Sequence, residues 1–292
     1  MEQQGAEIGL IGAAMRQRTV KLSEEEWEAK LREISPGEFG GDTKSGDWET
    51  WSPADKAGYT PKPLLLQPNI KDPNNPTWSD YLTPETQGRN LFILGAGESA
   101  LQFAKYFDNE LVYGINWTPK WFMPTFLQIM DTTVYESVVN TATRRWLEPE
   151  TQLVISKWLS RNHQCSASSH LLWNMIHPAL KKNRDTQRFA ETPDETTWWA
   201  PNSLYPALNI AHWFKPRRII LVGFDMGGRH FFGDGRAVGA AGRYLAQKDG
   251  LGDRLRYIRD ELEKRGNIIR QVGETSMDIF KHCDTMEEAL DG

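Results

Sequence analysis

Residues 90–107 read NLFILGAGESALQFAKYF, and no other stretch narrows the choice of fold as much. Leu91, Phe92, Ile93 and Leu94 run without a polar break into Gly95-Ala96-Gly97-Glu98-Ser99-Ala100. A strand apolar at every position is buried on both faces, the condition of a parallel strand covered by helices. After the glycines, Leu101, Ala104, Tyr106 and Phe107 recur at roughly helical spacing. A buried strand, a tight glycine turn and a helix start are therefore predicted. Such a turn aims backbone N–H groups and the helix dipole at one spot, where an anion is favoured. The spacing also fits the dinucleotide fingerprint G-x-G-x-x-A. A glycine turn kept for its geometry alone is the competing reading.

From Asn90 onward the pattern alternates. Strands are predicted at 110–116, 126–131, 152–157, 218–222 and 267–272, with a helical region at 171–181. Asn202-Ser203 caps a helix whose apolar stripe is Leu204, Ala207, Leu208 and Ala211, and Pro216 stops it. A second amphipathic helix covers 253–265, with Leu255, Ile258 and Leu262 inward and Gly266 as its stop. Strands separated by helices imply an α/β fold with a doubly wound, mostly parallel, Rossmann-like sheet over residues 89–292.

Residues 1–88 have another character. Ser23 and Glu26 form a capping box for a helix that places Trp27, Leu31 and Ile34 on one face. A Pro- and Trp-rich stretch follows, in which prolines leave little regular structure. Trp48, Trp51, Tyr59, Trp78 and Tyr81 make it too apolar for a free linker, so an irregular N-terminal arm wrapped over the main domain is expected.

Composition narrows the function classes. The net charge of −5 over 292 residues offers no basic footprint for bulk nucleic-acid binding. No apolar run approaches the ~20 residues of a membrane span. Glu2 and Glu7 stand where an export signal would carry lysines. Cys165 and Cys283 lie far apart without metal-type spacing. A reduced, cytoplasmic protein is the reading.

In sheets of this kind ligands bind outside the carboxyl ends of the strands. Polar residues recur there: Ser99, Asn116, Asp131 and Asp225. A nicotinamide enzyme would place an acid about 20 positions past the glycines to grip the ribose diol. Asn116 holds that place, which argues against a dehydrogenase, although its amide can donate to or accept from a ribose, a phosphate or a base. Glu98, inside the turn, must face away from a bound phosphate or hold a metal. Residues 224–234, FDMGGRHFFGD, form the most chemical-looking loop. Asp225 and Asp234 are candidate ligands for a divalent cation, and His230 is a candidate general base. A glycine-rich loop with His230 packed on Phe231 or Phe232 is the alternative. His163, His170 and His177 recur at sevens, about 10 Å apart on one helix and too far to share a metal. Trp117, Trp121, Trp198 and Trp199 flank the site loops, to stack on a sugar or base or to pack the core. The pairs Arg144-Arg145, Lys181-Lys182 and Arg217-Arg218 read as solvated faces, with a diphosphate contact as the alternative.

Taken together, the G-x-G-x-S turn, Gly114-Ile115-Asn116, the run N-S-x-Y-x-A-L-N-x-A from Asn202 and R-I-I-L-V-G-F-D-M from Arg218 resemble a known set. They resemble the bacterial sialyltransferases (glycosyltransferase family 42) and their 6-hydroxymethylpterin pyrophosphokinase-like relatives, many of them small phage proteins. The resemblance covers about residues 90–290. It implies a nucleotide at the carboxyl edge of the sheet, with Gly95, Gly97 and Ser99 at phosphate, Asn116 at ribose or phosphate, and Asn202 and Ser203 at base or phosphate. Tyr205 belongs to the same run. Two departures stand out: Glu98 replaces the family's proline, and residues 244–253 lack its histidine base. The expectation is a nucleotide-dependent transferase taking a nucleotide sugar or ATP, with Mg²⁺ as a possible helper and a hydroxyl acceptor. Its alternatives are pyrophosphoryl transfer and a phage module that binds without turnover.

Overall fold

The computed structural model describes residues 63–64, 66, 76–120, 122–130, 132–135, 151–156, 171–176, 189–198, 202–225, 251–273, 275 and 277–291. The helix predicted near Ser23, together with Trp48, Trp51, Tyr59, the three histidines at sevens, Trp121, Trp199 and both remote basic pairs, lies outside them.

The centre is built from strands with no polar gap. β1 (Asn90–Leu94), β2 (Leu111–Ile115) and β7 (Arg218–Val222) are buried along nearly their whole length. β3 (Phe126–Ile129), β4 (Gln152–Ser156), β5 (Leu171–Ile176) and β8 (Ile269–Val272) extend the sheet, and the short β6 (Thr196–Trp198) and β9 (His282–Cys283) add to its edges. The order is β6-β5-β4-β3-β2-β1-β7-β8-β9. Every pairing is parallel. This is an α/β sheet.

Each central strand sends alternate side chains to opposite faces. Leu91, Ile93, Leu111, Tyr113, Ile219 and Leu221 meet two helices, α3 (Leu204–Trp213) and α4 (Leu251–Lys264). Phe92, Leu94, Val112, Ile220 and Val222 meet Ala100, Phe103 and Phe107 on one side, and Met286 and Ala289 of α5 (Met286–Asp291) on the other. Two short helices, α1 (Trp78–Tyr81) and α2 (Thr132–Tyr135), complete the α-helices among the described residues.

α1 holds the described part of the N-terminal region to the sheet. Trp78 meets Trp213 edge-on at 5.0 Å and Phe214 at 6.2 Å. The Tyr81 hydroxyl donates to Gln152 Oε1. Upstream, the Leu64 N–H donates to the Glu110 carbonyl at 2.9 Å, and Thr125 Oγ1 donates to the Leu64 carbonyl at 3.0 Å.

Four elements differ from expectation. Residues 171–176, predicted helical, form β5, with Val154, Ile155 and Ser156 of β4 opposite Leu171, Leu172 and Trp173. A short apolar run has no period that separates a buried strand from a helix, and a free parallel edge on β4 decides the matter. The helix after the glycine turn, Glu98–Phe107, is of the tighter 3₁₀ type. Its Ala100 and Phe103, three apart, both face the sheet, a spacing that a three-residue turn accommodates. β6 and β9 were not predicted. Three and two residues are too few to show alternation.

Candidate functional site

The chain runs outward from β1 to β6 on one side of the sheet, then returns to add β7 against the other side of β1. The strand order therefore reverses between β1 and β7, and the next described helices after these two strands, the 3₁₀ helix Glu98–Phe107 and α4, pack on opposite faces. A crevice at the carboxyl ends of such a pair is where open α/β sheets place ligands.

At its floor the two turns touch. The Gly95 N–H donates to the Val222 carbonyl and the Gly97 N–H to the Gly223 carbonyl, each at 2.8 Å. A Cβ on Gly95 would stand 2.3 Å from the Gly223 oxygen, and one on Gly97 2.5 Å from the carboxyl carbon of Asp225. Both glycines are thus required by the approach of the β7 turn, whatever else they do. Asp225 then reaches over Gly97. Its Oδ2 accepts the Ser99 N–H at 3.0 Å, and its Oδ1 accepts the Ser99 hydroxyl.

The seat at the start of the 3₁₀ helix, expected to take a phosphate, is filled in this conformation by an internal carboxylate. The amides of Gly95, Gly97 and Ser99 all donate within the chain. A negative group at a helix start satisfies its amides and dipole as a bound anion would. β8 and the turn after it buttress this region: Gln271 Nε2 and Thr275 Oγ1 both donate to the Phe224 carbonyl, at 3.3 and 2.9 Å.

A second polar group stands one strand along, at the ends of β2 and β3. Asn116 follows β2 with φ 51, a conformation that asparagine tolerates better than most residues. Its N–H donates to the Gln128 carbonyl at 2.8 Å, and its Oδ1 accepts the Met130 N–H at 3.3 Å. With Oδ1 taken, Nδ2 faces Ser203 and donates to its Oγ at 3.2 Å. Ser203 precedes α3 and makes no side-chain cap hydrogen bond. Asn202 does that work, its Oδ1 accepting the Leu204 N–H at 2.6 Å. The third helical residue, Pro206, has no N–H for a cap to accept. The Ser203 hydroxyl is therefore left as a hydrogen-bond donor beside a half-buried Asn116.

Gln128 and Tyr113 support this pair from inside the sheet. Gln128 Nε2 donates to the Ser203 carbonyl at 2.8 Å, and the Tyr113 hydroxyl donates to Gln128 Oε1 at 3.0 Å. Both side chains are fully buried, and burial pushes the Tyr113 phenol well above its ordinary range. Thr118, also buried, donates to the Leu94 carbonyl at 3.2 Å and so ties the β2 turn to the end of β1. Sequence reading passed over Gln128 and Thr118. The signal for Gln128 was a lone polar residue in an otherwise apolar strand, FLQI.

The remaining candidates fall elsewhere. Tyr205 is fully buried in the core, and its phenol is raised far out of the working range, first by burial and then by Tyr257 and Glu261. Asp131, His230 and Asp234, and the Glu98 side chain, lie outside the described residues. So do the Trp198 side chain and residues 244–250. Trp117 packs half-buried against Leu127, Ile129, Val134, Tyr135 and Ile155. Arg218 is buried, with Nη2 donating to the Asp291 carbonyl at 3.3 Å, so its half of the basic pair is no solvated face. Among the described residues no three His, Cys, Asp or Glu side chains converge as metal ligands, and no helix is long and apolar enough to cross a membrane.

Compared with known proteins, the chain matches no family model, no curated protein and no solved structure.

Proposed function

We propose that the chain is a nucleotide-dependent transferase that moves a glycosyl group from a nucleotide sugar to an acceptor hydroxyl. The observation that carries this reading is the convergence of Ser99–Asp225 and Asn116–Ser203 at the carboxyl edge, beside the reversal of strand order. The resemblance of these same segments to sialyltransferase-like proteins supports it.

The two pairs differ in chemistry. Asn116 Nδ2 and the Ser203 hydroxyl are donors at the start of a ten-residue helix. They suit the oxygens of a phosphate, including the charge it gains as a leaving group. Asp225 is an acceptor, and it suits the hydroxyl that attacks. In the step proposed, the acceptor oxygen bonds to the anomeric carbon and its proton passes to Asp225. The carbon–oxygen bond to phosphate breaks, and the nucleotide leaves with the electron pair. Among the described residues, both carboxylate oxygens of Asp225 are engaged by Ser99, a poor match to a divalent-cation site.

One observation favours a second reading. Asp225 closed on Ser99 also suits a module that binds a nucleotide without turnover. Thermal shift and calorimetry with nucleoside mono-, di- and triphosphates and nucleotide sugars test both. Binding that is lost in Asn116→Ala and Ser203→Ala, with sugar release that stops in Asp225→Asn, supports the transferase. Binding without release supports the module. No response to any nucleotide would sink both.

A further inference from the structure

We propose that Gln128 is the positioning residue of this site, holding Asn116 and Ser203 as a matched pair of donors. The proposal rests on the reading of that pair as ligand-contacting. Gln128 is bonded to both members at once. Its carbonyl accepts the Asn116 N–H at 2.8 Å, and its side-chain Nε2 donates to the Ser203 carbonyl at 2.8 Å.

The orientation of the amide is decided by chemistry. The Ser203 carbonyl only accepts, so Nε2 must face it and Oε1 must face Tyr113, whose hydroxyl then donates. A side chain locked at both ends sets the distance from the middle of β3 to the residue before α3. That distance decides whether Ser203 Oγ meets Asn116 Nδ2. The Asn116 side chain cannot turn over to compensate, because the Met130 N–H holds its Oδ1.

Packing alone does not account for these residues. A buried amide and a buried phenol must both be satisfied, and an apolar pair of the same shape would fill the sheet without that demand. What the polar pair adds is direction. Gln128 touches no ligand in this scheme and acts through Ser203 and Asn116, as an outer partner orients an inner one.

The test uses the full chain with Gln128→Met, Gln128→Glu, Ser203→Ala and the Gln128→Met/Ser203→Ala double variant. AMP, GMP, CMP and UMP are titrated by calorimetry. The expected result is a loss of roughly fivefold in affinity for Gln128→Met, about one net hydrogen bond. The double variant should then bind no more weakly than Ser203→Ala. Additive losses, or unchanged affinity with only a lower melting temperature, overturn the proposal. Gln128→Glu keeps the shape and the acceptor for Tyr113 but sets a carboxylate against the Ser203 carbonyl. It should weaken binding at least as much as Gln128→Met, and wild-type affinity in it counts against the proposal. A ligand-free readout separates this idea from the function it rests on. The side-chain amide resonances of Asn116 should move in Gln128→Met even if no monophosphate binds the wild type. Unmoved resonances would refute the positioning role, whereas moved resonances without nucleotide binding would refute only the reading of the site as nucleotide-binding.

Discussion

Asp225 takes both the amide and the hydroxyl of Ser99, a residue 126 positions earlier in the chain. This contact joins the turns after β1 and β7 across the reversal of strand order. It also replaces, with a carboxylate of the protein itself, the anion that the glycine turn was expected to attract.

Gly97 is where this contact leaves no slack. In Gly97→Ala the new methyl meets the Asp225 carboxylate at 2.5 Å, a distance at which something must shift. The expected cost is about 1–3 kcal/mol, in line with other overpacked sites. Asp225→Ala removes the obstacle, so the double variant should recover part of the loss. Urea unfolding of the two single variants and the double variant measures the coupling, and strict additivity would show that the clash is relieved elsewhere.

Asn116 separates backbone tolerance from side-chain chemistry. Its φ of 51 suits glycine, so Asn116→Gly should keep stability within about 1 kcal/mol of wild type, while Asn116→Ala should lose about 1–2 kcal/mol. Both lack Nδ2, and both should weaken nucleotide binding by roughly fivefold or more. Melting curves and calorimetry on the same samples distinguish the two effects. Full nucleotide affinity in Asn116→Gly would remove this side chain from the site.

Trp78 tests how firmly the region before β1 is attached. It is 7% exposed and packed on Trp213 and Phe214. Trp78→Ala should cost about 3–5 kcal/mol, as for other large core aromatics. The expected shift in the urea midpoint is large, and a shift near zero would mean that the contact adds nothing to the folded state.

A pH dependence follows from His212. Asn267 Nδ2 donates to its Nδ1 at 3.0 Å, so the proton sits on Nε2, which faces Glu191 Oε2 at 3.4 Å. Burial lowers the imidazole pKa and outweighs the opposing pull of Glu191. The unfolded imidazole, at about 6.5, therefore takes up a proton before the folded one, and stability falls as pH drops through that value. The Glu191 carboxyl is held below its ordinary range, chiefly by the hydrogen bond from Arg265. Its contribution is present above the unfolded pKa and is lost as pH falls through the lower folded value. Both effects weaken the protein in acid. Urea midpoints measured from about pH 8 to about pH 5 should decline, and His212→Gln should flatten the upper part of the slope.

Much of the central sheet was legible because its signals are local. Leu91 to Leu94 are apolar at successive positions, Ile219 to Val222 repeat the pattern, and each run ends in glycine. Residues 171–176 carried no such signal, since Leu-Leu-Trp-Asn-Met-Ile suits a buried helix as well as a strand until β4 offers an edge. Among site residues, Ser99, Asn116, Ser203 and Asp225 were marked by standing at the ends of predicted elements. Gln128 and Thr118 sit within the sheet or beneath a turn, where sequence position says nothing about what they reach.

The sequence by itself determined which segments must be buried strands, where the chain must turn and which polar residues stand at strand ends. Those properties follow from burial periodicity and backbone sterics within a few residues. Only the tertiary structure decided the order of the strands, and with it which turns meet. β7 lies beside β1 because the chain returns across the sheet after β6. That return puts Asp225 on Ser99, and it leaves the donors beside the crevice on Asn116 and Ser203.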